Sequence, residues 1–152
     1  MKKGYTLAEL LIVMAIVVIL GVVSLASFVT RRNQSQLSTT AATMAGLLRE
    51  AQSRSMAQAS STSWGVHFDN GSSPFFALFA APYGASSLTG RYPLPAWVGY
   101  ATSSIRSGSF AEVSFAQLSG AATGSSSITI YLLQSPQVST TLSISDSGAI
   151  AY

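Results

Sequence analysis

"KKGYTLAELLIVMAIVVILGVV", residues 2–23, decides how the chain is read. From Leu10 to Val29 there is no charged side chain and there are only two serines, Ser24 and Ser27. A helix rising ~1.5 Å per residue over ~20 residues covers a hydrocarbon core of ~30 Å. Glu9 stands at the edge of that run. There a carboxylate costs free energy that grows with depth, reaching ~2.5–3.5 kcal/mol at the bilayer centre. The chain has only five acidic residues, so the placement of this one needs a reason.

Local chemistry supplies part of it. Thr6-Leu7-Ala8-Glu9 fits the S/T-x-x-E capping box, in which the Thr6 hydroxyl accepts from the Glu9 amide and the carboxylate reaches back. A carboxylate in the first turn also faces the positive end of the helix dipole. A glutamine would cap as well without bringing a full charge to the membrane edge, so capping alone does not account for Glu9.

Two kinds of N-terminal signal fit the apolar run. One is a conventional secretory signal with Lys2 and Lys3 as its basic region and Leu10–Val23 as its apolar core. Its small-x-small cleavage site would be Ser24-Leu25-Ala26. The other is a retained membrane helix. Two features favour retention: Glu9 interrupts the passage from basic to apolar region, and the apolar run continues through Phe28 and Val29.

Composition narrows the rest. The 152 residues favour one domain, or one small domain with an appendage. A mean hydropathy of +0.40 and a charged fraction of 9% are unusual for a soluble protein, and much of the apolarity lies in the first thirty residues. Removing the first four residues leaves six basic against five acidic side chains, so the net charge of +3 is weak support for a nucleic-acid partner. Cysteine is absent, which excludes disulfides and thiolate metal sites.

Gly4-Tyr5-Thr6-Leu7-Ala8-Glu9-Leu10, after a very short basic leader and before an unbroken apolar run, resembles the type IV prepilin signal over residues 2 to about 29. The resemblance implies cleavage by a prepilin peptidase after Gly4 and N-methylation of Tyr5, where the family more often has phenylalanine. It implies that Glu9 pairs with the N-terminal amine of a neighbouring subunit during assembly. Physical chemistry agrees with that role. An ammonium and a carboxylate that are each costly alone in low dielectric lose both penalties by meeting, and the meeting fixes the register between helices. Two basic residues flank each end of the span, Lys2 and Lys3 against Arg31 and Arg32. The leader resemblance therefore sets the topology: N-terminus in the cytoplasm, remainder outside it.

Beyond the span the helix continues. No proline occurs before Pro74, although pilins commonly break this helix with one. Leu37, Ala41, Met44, Leu48, Ala51 and Ser55 recur at steps of three and four, a narrow apolar stripe expected to bed against the chain's own C-terminal domain, with packing on neighbouring helices of a filament as the alternative. Ser60-Ser61-Thr62-Ser63 ends the helix. Strand signals follow at Trp64–Phe68, with a turn at Asp69-Asn70-Gly71, and at Phe75–Ala81, Leu94–Tyr100, Glu112–Ala116, Ser127–Gln134, Thr140–Ser145 and Ile150–Tyr152. The segments around Tyr83–Arg91 and Gly120–Ser126 read as loops, and Ser135-Pro136 and Asp146-Ser147-Gly148 as turns. The order of these parts, with "LPAWVGY", "SSITIYLL" and "TLSISDSGAIAY", resembles the GspH/FimT class of minor pseudopilins.

Enzymatic readings fare poorly. His67 is the only histidine and reads as a solvent-facing strand residue, with Asp69 engaged in turn chemistry. Glu112 and Asp146 are isolated in sequence, no G-x-S-x-G elbow is present, and no catalytic, cofactor or metal site is expected. Asn33-Gln34-Ser35 and Asn70-Gly71-Ser72 match a glycosylation pattern that arises often by chance in serine-rich chains.

The expected fold is α+β and pilin-like, a long N-terminal helix packed on a small antiparallel β-sheet domain. Its parts are a leader (1–4), a helix (5–59) with a transmembrane half (7–29), and an extracytoplasmic β domain (60–152). The expected function is that of a structural subunit, a minor pilin or pseudopilin of a type IV pilus or type II secretion pseudopilus. It starts as a single-pass protein of the bacterial inner membrane and passes into the filament. Expected partners are other pilin or pseudopilin subunits, the prepilin peptidase, the inner-membrane assembly platform and membrane lipid, with DNA unfavoured. The competing readings are a DNA-uptake minor pilin and a secreted β-rich protein released by a conventional signal peptide.

Overall fold

A computed structural model describes residues 6–152, with the side chains of residues 22–30 outside the description. It divides into two units, Met1–Gln34 and Ser35–Tyr152. Helix α1 (Leu7–Met56) contributes to both and is unbroken, as a stretch without proline allows.

In the second unit every position of the apolar stripe, Leu37, Ala41, Met44, Leu48, Ala51 and Ser55, is buried. The stripe is wider than the sequence suggests, because Thr40, Ala45 and Leu47 are buried too. The physical reason is that the core entered by the helix is formed by two sheets rather than one.

The helix stops at Met56, three residues before the expected end. Gln58 adopts a left-handed conformation (φ 52°), and Ala59–Ser61 form a short 3-10 turn. Ser55 ties this end to the sheet: its fully buried Oγ accepts from Trp64 N at 2.7 Å and lies 3.3 Å from Trp64 O. At Gly46, mid-helix, an added Cβ would meet nothing within 4 Å. Gly46→Ala should therefore stabilise the protein by about 0.5–1 kcal/mol through lost chain entropy in the unfolded state. An unchanged or lowered denaturant midpoint would show that this helical surface is not free.

One sheet has five antiparallel strands in the order β3-β2-β1-β5-β6: β1 (Trp64–Asp69), β2 (Phe75–Ala80), β3 (Leu88–Pro93), β5 (Phe110–Phe115) and β6 (Ala122–Gly124). The other has four, in the order β4-β7-β8-β9: β4 (Val98–Tyr100), β7 (Ser127–Leu132), β8 (Ser135–Ile144) and β9 (Ile150–Ala151). Alternation sends Val66, Phe68, Phe76, Leu78, Val113 and Phe115 from the first sheet and Val98, Tyr100, Ile128, Ile130, Leu142 and Ile144 from the second into one core.

Several boundaries differ from the sequence reading. The segment around Tyr83–Arg91 contains strand β3, and Gly120–Ser126 contains β6. Both are edge strands poor in β-branched residues, ordered by pairing with a neighbour rather than by their own propensity. Only Val98–Tyr100 of Leu94–Tyr100 is a strand. Ser135-Pro136 begins β8 instead of turning, and the register shift between Tyr131 and Leu132 accommodates it. Asp146-Ser147-Gly148 is a turn, closed by a Gly148 N to Ser145 O bond of 2.8 Å.

Gln52 holds two loops against the helix, its amide donating to Gly120 O at 3.1 Å and to Gly148 O at 3.0 Å. Gly148 (φ 86°) takes a backbone conformation that favours glycine. An added Cβ there would also collide with Gly120 O and with that amide.

Candidate functional site

The first unit presents the start of α1. Thr6 Oγ1 accepts from Glu9 N at 3.3 Å and Thr6 O accepts from Leu10 N at 3.2 Å, so the hydroxyl satisfies one of the amides that a helix N-terminus leaves without an internal partner. The Glu9 side chain is exposed in the first turn, beside the positive end of the dipole. Gly4 and Tyr5, the residues flanking the expected cleavage, lie outside the described residues.

After Glu9 the helix is apolar on all sides. Leu10, Leu11, Ile12, Val13, Met14, Ile16, Val17, Val18, Ile19 and Leu20 are each at least half exposed. A helix hydrophobic all round is suited to burial in an apolar environment. Among the described residues no helix is long and apolar enough to cross a membrane. The described apolar side chains end at Gly21, and residues 22–30, which carry the apolar run on in the sequence, fall outside the description. The transmembrane half 7–29 thus lies partly outside the described residues.

The second unit corrects the reading of His67. Instead of facing solvent, the residue is only 2% exposed. Its ring stacks on Tyr83 at a centroid distance of 3.9 Å and on Phe110 at 5.2 Å, with Phe75 at 5.9 Å. Nδ1 lies 2.9 Å from Glu112 Oε1, its cross-strand partner, and Nε2 lies 3.9 Å from Asp69 Oδ2. Asp69 keeps its turn role, accepting from Gly71 N at 2.8 Å through Oδ1. Burial, followed by the Asp69 and Glu112 charges, pushes the Tyr83 hydroxyl above its ordinary value. The cluster covers His67 on the face of the sheet opposite Val66 and Phe68, and among the described residues no group of His, Asp and Glu has the geometry to hold a metal ion. Glu112→Ala should cost about 1–3 kcal/mol by leaving a buried ring nitrogen without its acceptor, and Glu112→Gln should cost less because an amide oxygen still accepts. Equal melting temperatures for wild type and Glu112→Ala would show that the hydrogen bond contributes nothing net.

Three of the four arginines of this unit, Arg49, Arg54 and Arg91, are engaged at separate places. Arg54 pairs with Glu50 at 2.6 Å and lies over Trp64, Arg49 reaches Ile150 O at 3.5 Å and lies over Tyr152, and Arg91 lies over Phe75 at 4.0 Å. Asn70, in one glycosylation-like triplet, donates its amide to Ile105 O at 3.0 Å.

The family described as the prokaryotic N-terminal methylation motif matches residues 1–27. The match supports a type IV pilin-like protein. A motif of this prepilin type implies a prepilin peptidase and other pilin subunits as partners in general, and it suggests a membrane-anchored pilus subunit. No curated protein and no solved structure matches the chain.

Proposed function

We propose that the protein is a non-enzymatic structural subunit, a minor pilin or pseudopilin of the GspH/FimT class. It is cut after Gly4, N-methylated on Tyr5, held in the inner membrane by residues 7–29 and assembled through α1. The observation that carries this reading is the coincidence, within residues 1–27, of the methylation motif with a capped helix start whose apolar surface is bare. The span itself is argued from the sequence, in which no charge occurs between Leu10 and Val29. In assembly the Glu9 carboxylate meets the new Tyr5 ammonium of a neighbouring chain, and methylation retains that positive charge.

DNA has no place in this reading. Residues 60–152 carry two arginines against three acidic side chains, and duplex binding rests on many phosphate contacts, about 6–10 for a strongly salt-sensitive binder. Intact mass of the membrane-extracted protein tests the proposal. The expected mass is that of the chain from Tyr5 with one added methyl group. A chain beginning at Ser27 would establish a conventional signal peptide and end the pilin reading.

A further inference from the structure

The four-stranded sheet has an outer face of unusual chemistry. β4, β7, β8 and β9 contain no Asp, Glu, Lys or Arg. Native proteins often blunt edge strands with charges, and here neither edge strand, β4 or β9, carries one. Here the exposed polar groups of the strands are largely hydroxyls, and Thr129 and Thr141 bond to each other across strands at 2.9 Å.

A depression of about 250 Å³ opens on this face. Thr102, Ser103, Thr129 and Ser139 line it with hydroxyls, and Tyr131 and Pro136 add two rings. Its walls are fixed. Ala101 N donates to Thr129 O at 2.8 Å, and Ser104 Oγ accepts from Thr129 N at 3.2 Å and donates to Ala101 O at 3.0 Å, which fastens the turn bearing Thr102 and Ser103 to β7. Ile105, at the end of that turn, is buried in the core. A Cβ at Gly99 would crowd Leu133 Cδ2 at 3.0 Å and meet the Tyr131 ring at an ordinary contact distance of 3.5 Å.

We infer that this depression binds a single neutral sugar ring. A hydroxyl both donates and accepts, so Thr102, Ser103 and Ser139 match ligand hydroxyls in more than one orientation, while Thr129 shares its hydroxyl with Thr141. The Tyr131 and Pro136 rings offer apolar surface to the C–H face of a pyranose. No lining group carries charge, so a phosphate or carboxylate finds none of the charge-assisted bonds that would select it. The volume falls below the ~300–1,000 Å³ of pockets for larger ligands and suits about one ring inside the depression. The site is independent of the assembly role and lies wholly within the second unit.

The test uses the full chain in a zwitterionic detergent without a sugar headgroup. Saturation-transfer NMR is run with glucose, galactose, mannose and N-acetylglucosamine, and with glucuronate as a charged control. At least one neutral sugar should bind with a dissociation constant of about 1 mM, as suits so small a ligand. The affinity should not change with salt, and glucuronate should bind more weakly. Ser139→Lys, at an exposed position where folding is not at risk, and Tyr131→Ala should each weaken binding at least ~10-fold, whereas Ser72→Lys on the β1–β2 turn should not. No transfer to any neutral sugar would overturn the inference. So would transfer that survives Ser139→Lys, or equal transfer to glucuronate.

Discussion

Glu9→Val should leave cleavage and membrane insertion intact and nearly abolish incorporation into filaments. The backbone bond from Glu9 N to Thr6 Oγ1 does not involve the carboxylate, so the helix start survives the substitution. Insertion becomes easier, because a charge at the edge of the hydrocarbon is replaced by an apolar group. What disappears is the partner proposed for the neighbouring Tyr5 amine, and a buried ion left alone costs about 3–5 kcal/mol. That is at least ~100-fold in the equilibrium for adding a subunit. Glu9→Gln separates the roles, since it preserves the cap but not the charge and should fail in assembly to a similar degree. Sheared filaments containing either variant at the wild-type level would remove the pairing role from Glu9.

The parts of the fold that were legible in the sequence are those fixed by local pattern. α1 follows from three- and four-residue spacing and the lack of proline, β1 and β7 follow from alternation of large apolar residues with small or polar ones, and β2 follows as the apolar run returning after the turn at Asp69-Asn70-Gly71. The Thr6 cap was legible for the same reason, because Thr6 and Glu9 lie three residues apart and their geometry is intrinsic to a helix start. The remainder depends on contacts between distant segments. β3 contains Gly90 and ends at Pro93, and nothing in its own residues separates it from a loop; its pairing with Phe75–Phe79 orders it. The burial of His67 requires Tyr83 from the connection after β2 and Phe110 and Glu112 from β5. Alternation correctly placed His67 on the face opposite Val66 and Phe68, but it does not reveal that other side chains cover that face. The sugar-sized depression likewise joins Thr102 and Ser103 to Pro136 and Ser139, which only the folded four-stranded sheet brings together.

Phe68→Ala should be among the most destabilising single substitutions in the β domain. Phe68 is fully buried at the centre of the five-stranded sheet, and its ring meets Tyr100 of the four-stranded sheet edge-on at 6.3 Å. The Tyr100 hydroxyl then donates to Phe75 O at 3.1 Å, returning to the first sheet. The two rings therefore link the sheets by packing and by one hydrogen bond. Truncating Phe68 removes transfer free energy and leaves a cavity, at a cost of about 3–5 kcal/mol from a total stability of ~5–15 kcal/mol for a domain. Denaturant unfolding measures this directly, and a loss below ~1 kcal/mol would show that the sheets are joined elsewhere. The same contact predicts an alkaline limit. Burial, with the Asp69 charge second, pushes the Tyr100 hydroxyl far above its ordinary value. The folded state thus holds this proton more tightly than the unfolded chain does. The resulting stability is complete below about pH 10, the unfolded value, and is lost as pH rises beyond it. Tyr100→Phe should cost about 0.5–1.5 kcal/mol at neutral pH, from the lost hydrogen bond to Phe75 O. Above pH 10 it should flatten the decline, because the buried ring no longer has a proton to lose. A variant whose stability falls as steeply as wild type in alkali would place that titration on another residue, with Tyr83 the first to test.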